Sequence, residues 1–210
     1  NVKTKINNEI KRKGRKGFIW EIIFSFLIFC ASAVLIFVLY IIISAPNFEK
    51  DKLYKKEATV IYDKNGIEFA RVGQEDRELI EYKDLPQVYI DALIATEDSR
   101  FFQHNGLDIA RFLKASVGQL VSSKAGGAST ITMQLVKKTY TNGASEGIAG
   151  IVRKFTDIYM AVFKIESSYT KEEILEFYSN SLWYANGRSI NTTGIYGIEQ
   201  ASQHFFGKSV

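Results

Sequence analysis

A long uncharged stretch near the start of the chain constrains the fold most. Within residues 22–44 no side chain carries a charge, and most are large and apolar. A helix of this length crosses a hydrocarbon core of roughly 30 Å with some tilt. A secretory signal peptide has a shorter apolar region and a small-residue cleavage site, and a buried helix of a soluble domain is seldom this long. The sequence therefore predicts a single transmembrane helix, which we place at residues 18–45.

The charges on the two sides of this helix predict its orientation. Residues 1–17 form a basic tail without an apolar period, for which we expect no secondary structure. The positive-inside rule places such a tail in the cytoplasm and the rest of the chain outside. Beyond the helix, acidic and basic side chains nearly balance, which argues against nucleic acid as a partner. The only cysteine, Cys30, lies within the helix, so an internal disulfide is excluded.

Residues 46–57 form a lysine-rich connector, after which the sequence predicts a β-hairpin. Two segments, residues 59–62 and 67–72, are rich in β-branched and aromatic side chains. They enclose Asp63-Lys64-Asn65-Gly66, and Asn-Gly between two such segments is a strong hairpin signal. We expect this hairpin to be the only sheet worth naming.

A helix is predicted to begin near Pro86. Asp84 is placed to cap its first turn, and proline is favoured at the first helical position. We expect Val88, Ala92 and Ala95 to face the core.

Two more helices are predicted from apolar side chains at helical spacing, and we expect both stripes to face the core. The first stripe consists of Ile109, Leu113, Val117 and Leu120, and the second of Ile151, Phe155, Ile158, Val162 and Ile165. Between these helices, residues 122–128 offer almost nothing to bury, which predicts a mobile loop.

Two helices near the end complete a mainly α-helical domain. Thr170 and Glu173 form a capping box that opens one of them, and the last, residues 200–206, ends at Gly207. The domain as predicted spans residues 58–210.

An acidic pair beside aromatic residues marks the first candidate site. Glu97 and Asp98 end the helix that begins near Pro86, and Phe101 and His104 follow at once. A carboxylate that aromatic rings shield from water is suited to proton transfer. The alternative is a solvated helix carboxylate beside ordinary core aromatics.

A second segment offers hydroxyl, amide and cationic side chains. Ser129 and Thr130 are placed to cap a helix that carries Gln134 and Lys137, so free N–H groups and a cation could meet an anion there. A plain Ser/Thr-capped helix is the alternative.

A third segment holds Arg153, Lys154 and Asp157. Arg153 and Asp157 stand one helical turn apart, which also suits a simple i,i+4 ion pair worth a few tenths of a kcal/mol.

With these segments in this order, the chain resembles the family-51 peptidoglycan glycosyltransferases. The family's motifs are Glu-Asp-x-x-Phe-x-x-His-x-Gly, Gly-x-Ser-Thr-Ile-Thr-x-Gln-x-x-Lys, Arg-Lys-x-x-Glu, Ile-Leu-Glu-x-Tyr-x-Asn and a Phe-Gly-Lys ending. They stand at residues 97–106, 127–137, 153–157, 174–180 and 206–208. The resemblance is to the glycosyltransferase domain of a class A penicillin-binding protein or a monofunctional transglycosylase. It implies a lysozyme-like helical fold, truncated here at its C-terminal end.

The chain departs from the family pattern at three places. Met133 stands where the family has Gln, Asp157 stands where it has Glu, and residues 188–193 resemble a short insertion. From the resemblance, the change at Met133 is expected to remove a polar substrate contact. The change at Asp157 concerns the family's second acidic residue and is the most consequential.

The resemblance implies polymerisation of lipid II into β-1,4-linked glycan, with release of undecaprenyl pyrophosphate and inversion at the anomeric carbon. Glu97 would be the catalytic base, and Asp157 would orient nearby cations. The implied substrate-binding residues are Ser129, Thr130, Gln134, Lys137, Arg153 and Lys154. No tightly bound cofactor is implied, and a divalent cation such as Mg²⁺ is the one candidate.

The same resemblance implies partners and a location. The partners are lipid II, the growing glycan-lipid chain and the membrane, with other cell-wall synthesis proteins as further candidates. The location is the bacterial cell membrane, with one span, a cytoplasmic N-terminus and an extracytoplasmic catalytic domain.

Three other interpretations remain open at this stage. A lysozyme-type hydrolase would share the fold and a catalytic Glu but would not use the Lys137, Arg153 and Lys154 set. A catalytically weak scaffold for other cell-wall proteins is favoured by the departures at Met133 and Asp157. A membrane-anchored binding module would not require Glu97.

Overall fold

The chain forms two units, residues 1–45 and residues 46–210. The computed structural model describes residues 2–72, 75–121, 127–141, 146–186 and 194–210. The predicted mobile loop, except for Gly127 and Ala128, and the insertion at residues 188–193 lie outside the described residues.

The first unit consists of two helical segments that meet at Gly14 and are together called α1 (Val2–Ser44); Gly14 itself, with φ 72° and ψ 156°, is not helical. The segment Lys16–Ser44 is long and apolar enough to cross a membrane, judged by length and composition. Our expectation of an unstructured basic tail is wrong in this structure. Lysine, arginine and glutamate have good helix propensity, which favours a helical segment before Gly14.

The predicted hairpin lies near the start of the second unit and is confirmed. Strands β1 (Thr59–Tyr62) and β2 (Glu68–Val72) pair antiparallel, with Thr59 opposite Val72. The Asp63 carboxylate accepts the N–H groups of Asn65 at 2.8 Å and Ile67 at 2.9 Å, which closes the turn.

A second, three-stranded sheet contradicts the expectation that the hairpin is the only sheet. Its strands are β3 (Asp76–Arg77), β4 (Trp183–Ala185) and β5 (Ile195–Tyr196), in the order β3-β5-β4. β3 and β5 are parallel, and β4 and β5 are antiparallel. Strands of two or three residues are too short to show an alternating pattern, and β3 lies more than a hundred positions from its partner in sequence.

Most of the other described residues of the unit are helical, so the mainly α-helical prediction is confirmed. The helices are α2 (Gln87–Glu97), α3 (Ile109–Val121), α4 (Ile131–Val136), α5 (Gly147–Met160), α6 (Lys171–Ser181) and α7 (Ile198–Phe206). Short 3₁₀ segments lie at Lys50–Lys52, Tyr82–Asp84 and Phe101–Gln103, and π-helical turns at Lys137–Thr141 and Ala161–Ile165.

Helix α4 lies at the centre of this unit and packs against α5 and α6. Ile131, Met133, Leu135 and Val136 are each at most 1% exposed. Burying side chains of this size contributes roughly 1.5–3 kcal/mol each. The helix that carries Gln134 is therefore held firmly from both sides.

The start of α2 differs from the prediction. Asp84 lies in a 3₁₀ turn, and Pro86 precedes the helix without a side-chain cap. Val88 is 77% exposed, whereas Ile90 and Leu93 are buried. The predicted buried face of α2 is wrong because it was based partly on alanines, whose small side chains contribute little to burial on either face.

Our expectation that the apolar stripes of α3 and α5 both face the core is also wrong. Leu113 of α3 is 57% exposed, and Ile151 and Phe155 of α5 are 55% and 39% exposed. In contrast Asp157 of α5 is buried. Periodicity locates a helix, but which side the domain covers depends on elements distant in sequence.

Both predicted helix-end signals of the last third are confirmed. Thr170 and Glu173 form the reciprocal capping box of α6. Gly207 ends α7 in the left-handed conformation with φ 68°.

Gly106 gives a stability prediction. It has φ +82°, and a Cβ there would lie 3.0 Å from the backbone carbon of Ala161. We expect Gly106→Ala to lower the free energy of unfolding by about 2–4 kcal/mol, because backbone strain and overlap with a rigid neighbour add. Thermal unfolding of the full chain in detergent micelles measures this.

Gly66→Ala is the matched control. Gly66 has φ +78° with nothing within 4 Å of the added Cβ, so only the strain of about 1 kcal/mol applies. Equal losses in the free energy of unfolding for the two variants would show that the close approach of Gly106 to Ala161 adds nothing to the backbone strain.

Candidate active site

Glu97 lies at the C-terminal end of α2 and contacts α4 directly. Gln134 Nε2 donates to Glu97 Oε2 at 2.7 Å, and the Tyr178 hydroxyl donates to Gln134 Oε1 at 2.9 Å. The guanidinium of Arg111 donates to the Glu97 carbonyl at 2.9 Å and to the Gly127 carbonyl at 3.1 Å. Both the backbone and the carboxylate of Glu97 are thus held in place.

The adjacent Asp98 has a different environment. Its carboxylate is fully buried, accepts the N–H of Ile131 at 3.1 Å, and lies 3.1 Å from Nε2 of His104. These bonds join the turn after α2 to the start of α4. Of the acidic pair, Asp98 is structural and Glu97 faces the surface.

Glu97 faces a cleft of about 410 Å³ that is rich in cations. Arg111, Lys137 and Lys138 line it together with Gln134. Burial and the neighbouring Lys137 lower the pKa of Lys138. The cleft joins a carboxylate to several positive charges, which suits binding of an anion beside a proton acceptor.

A second cavity of about 770 Å³ adjoins the first, since Gly127 and Ser129 line both. Arg153 and Lys154 line this second cavity. Lys154 Nζ donates to Ser129 Oγ at 2.6 Å. Burial lowers the pKa of Lys154, with Asp157 opposing that effect and Arg153 and Lys137 adding to it.

Asp157 is 2% exposed and bonded through both carboxylate oxygens. Oδ1 accepts the Thr141 hydroxyl at 2.5 Å, and Oδ2 accepts from the Arg153 guanidinium at 2.7 Å. Burial raises the pKa of Asp157, and the Thr141 hydrogen bond and the nearby cations only partly oppose this. The carboxylate therefore ties α5 to the turn after α4 and orients Arg153.

Two residues that the sequence analysis singled out, Thr130 and Met133, lie in the interior and not in the cleft. Thr130 is fully buried, and its hydroxyl donates to the Gly106 carbonyl at 2.7 Å and accepts the N–H of Met133. Met133 is 1% exposed and lies in the core. The departure from Gln at that position therefore removes no side chain from the cleft.

Four residues of the site were missed by the sequence analysis. They are Arg111, Lys138, Thr141 and Tyr178. Tyr178 belongs to the motif at residues 174–180, from which the sequence analysis took no site residue. Its neighbours there do act as scaffold: Glu176 accepts the Tyr82 N–H at 2.8 Å, and Asn180 bonds both backbone groups of Ile80.

The side chains present do not fit a cage for a divalent cation. In the part of the chain that the structure describes, no three His, Cys, Asp or Glu side chains converge. Both oxygens of Asp157 already accept hydrogen bonds, one of them from a cation.

Comparison with known proteins places the chain in a family. The family model described as Transglycosylase matches residues 65–210, so the chain belongs to the transglycosylase family. This confirms the resemblance noted from the motifs.

Curated relatives are considerably longer proteins. Penicillin-binding protein 1A/1B of Bacillus subtilis (strain 168) is 36% identical over 164 residues, covering 78% of this chain and 17% of that protein. Penicillin-binding protein 1A of Streptococcus pneumoniae (strain ATCC BAA-255 / R6) is 33% identical over 171 residues, covering 81% and 22%. Penicillin-binding protein 1A of Neisseria meningitidis serogroup A is 35% identical over 191 residues, covering 90% and 22%. The chain thus spans about a fifth of their length.

The raised pKa of Asp157 predicts a pH effect on stability. The folded state binds this proton more tightly than the unfolded state, so the free energy of unfolding falls as pH rises from the ordinary value of 3.8 through the folded pKa. The Asp157→Asn variant has no proton to lose at this position, so it is expected to gain stability relative to wild type as pH rises. Unfolding in micelles from about pH 4 to pH 8 measures this difference.

Asp63→Asn is a control of opposite sign. Backbone hydrogen bonds from Ile67 and Asn65 lower the pKa of Asp63, so its contribution to stability is lost as pH falls through the folded pKa. Asp63→Asn should therefore lose stability relative to wild type as pH rises. If Asp157→Asn also lost stability relative to wild type as pH rises, burial would not raise the pKa of Asp157.

Proposed function

We propose that this chain is a membrane-anchored peptidoglycan glycosyltransferase that polymerises lipid II into β-1,4-linked glycan. The observation that carries the proposal is the position of Glu97, held by Gln134 at the edge of a cleft lined by cations. Family membership supports the reaction class.

Glu97 is the proposed general base. The 4-hydroxyl of the acceptor sugar attacks the anomeric carbon of the donor, the bond from that carbon to the pyrophosphate oxygen breaks, and configuration inverts. The hydroxyl proton passes to Glu97. Oε2 accepts from Gln134, and no hydrogen bond to Oε1 occurs among the described residues, so Oε1 is the oxygen placed to take the proton.

The cations act on the leaving group. Undecaprenyl pyrophosphate leaves as an anion with the bonding electrons. Its departure is therefore assisted by nearby positive charge rather than by a general acid. Lys137 lines the cleft with Glu97, and Arg153 and Lys154 line the adjoining cavity. Ser129 lies between the two and bonds Lys154, so we assign it to the pyrophosphate path, with Asp157 orienting Arg153.

The apolar helix gives the proposed location. A substrate with a lipid tail must be met at the membrane surface, which suits an enzyme anchored by Lys16–Ser44. The basic tail before that helix favours a cytoplasmic N-terminus and an extracytoplasmic domain in a bacterial cell membrane. Other cell-wall synthesis proteins remain candidate partners.

Glu97→Gln tests the base. We expect a folded protein whose glycan synthesis from labelled lipid II falls by at least about 100-fold, the lower end for a lost general base. Near-normal synthesis would refute the assignment. Supplying finished glycan to the wild type separates a hydrolase, which would cleave it, from a polymerase, which would not.

Asp157 tests whether the shorter carboxylate functions. We expect Asp157→Ala to lose most polymerisation, because Arg153 and Thr141 lose their common partner, on the order of 100-fold for a misplaced site. Asp157→Glu should retain or raise activity. If Ala matches the parent, Asp157 has no role in the reaction and the scaffold interpretation gains support.

A further inference from the structure

Tyr178 reaches the proposed base only through an intervening amide. Its side chain, on α6, is 2% exposed. The hydroxyl donates to Gln134 Oε1 at 2.9 Å, and Gln134 Nε2 donates to Glu97 Oε2 at 2.7 Å. Two consecutive hydrogen bonds therefore join α6, α4 and the end of α2.

A primary amide offers an acceptor on one side and donors on the other, so it can face its neighbours in two ways. In the structure the NH₂ group of Gln134 faces Glu97. A donor in this place stabilises the ionised carboxylate. If the amide were reversed, its carbonyl would face Glu97, and only a protonated carboxyl could then donate to it.

Tyr178 makes the reversed orientation unfavourable. Burial raises the pKa of Tyr178, so its hydroxyl keeps the proton. Within the described residues this hydroxyl donates to Gln134 Oε1. A reversed amide would present NH₂ instead, and the buried hydroxyl proton would lose its acceptor, which costs free energy.

We propose that Tyr178 is a positioning residue that fixes the amide orientation of Gln134, so that the NH₂ group of Gln134 donates to Glu97. Gln134 then holds one oxygen of Glu97, and the other accepts no hydrogen bond from the described residues. The inference rests on the proposed role of Glu97 as base.

Other charged groups also face Glu97. Arg111 of α3 bonds its carbonyl, Lys137 and Lys138 after α4 line the same cleft, and the buried Asp98 follows it in sequence. All four remain in a Tyr178→Phe variant, so a change in the titration of Glu97 reports the lost hydroxyl.

The experiment titrates Glu97 directly. The full chain in detergent micelles carries ¹³C-carboxyl-labelled glutamate, and the Glu97 signal is the one absent from Glu97→Gln. Tyr178→Phe is expected to raise the titration midpoint by about one pH unit, a tenfold change in proton affinity. Tyr169→Phe, which removes another buried hydroxyl beside α6, is expected to leave it unchanged. An unchanged midpoint in Tyr178→Phe, or an equal rise in Tyr169→Phe, would overturn the proposal.

A double-mutant cycle tests the route through the amide. Gln134→Leu should raise the midpoint, and adding Tyr178→Phe should raise it no further, because both changes act on one hydrogen-bonded path. Additive shifts would overturn the assigned route.

Polymerisation of lipid II by the same proteins is a separate readout. Tyr178→Phe should lose activity at low pH and recover it at high pH, whereas a purely structural defect lowers activity at every pH. An equal loss at every pH would overturn the proposal. A wild type that makes no polymer would refute the proposed function, while a shifted Glu97 midpoint in Tyr178→Phe would still support the positioning role.

Discussion

The geometry of the site depends on the hydrogen bonds made by the buried carboxylate of Asp98. A buried charge without partners is strongly destabilising, so its hydrogen bonds must be made. They come from the N–H of Ile131 and the ring of His104. These bonds fix the end of α2 against the start of α4, and as a result Glu97 and Gln134 lie within hydrogen-bonding distance. The geometry of the exposed acid therefore follows from the burial of its neighbour.

Helix α5 buries charged side chains at the site and leaves apolar side chains exposed, which lowers the stability of the fold. Its apolar residues Ile151 and Phe155 are exposed, while Asp157 is buried. The raised pKa of Asp157 and the lowered pKa of Lys154 have burial as their largest cause. Charged groups held against the cost of burial reduce stability, and such groups are typical of functional sites.

The two departures from the family motifs have different consequences. Met133 lies in the core, where an apolar side chain needs no partner and a Gln would need two. Asp157 lies where both oxygens accept hydrogen bonds, from Thr141 and Arg153. The shorter acid is therefore fully bonded in this structure, and the substitution leaves Arg153 with its carboxylate partner.

The sequence by itself determined the hairpin, most of the helices and their order. Composition, turn residues and capping signals located the apolar helix, the hairpin, the capping box at Thr170 and the end at Gly207, because each depends on neighbours within a few residues. The motifs also singled out Glu97 and Gln134, which the structure brings into contact, and Lys154, which lines the adjoining cavity.

Only the tertiary structure decided which faces are buried and which side chains meet. The second sheet, the exposed apolar residues of α3 and α5, and the interior position of Thr130 all depend on contacts between segments far apart in sequence. Tyr178 and Gln134 are 44 positions apart, and Gln134 and Glu97 are 37 apart. No local pattern encodes such pairs, because packing around Asp98 and α4 sets the distances between them.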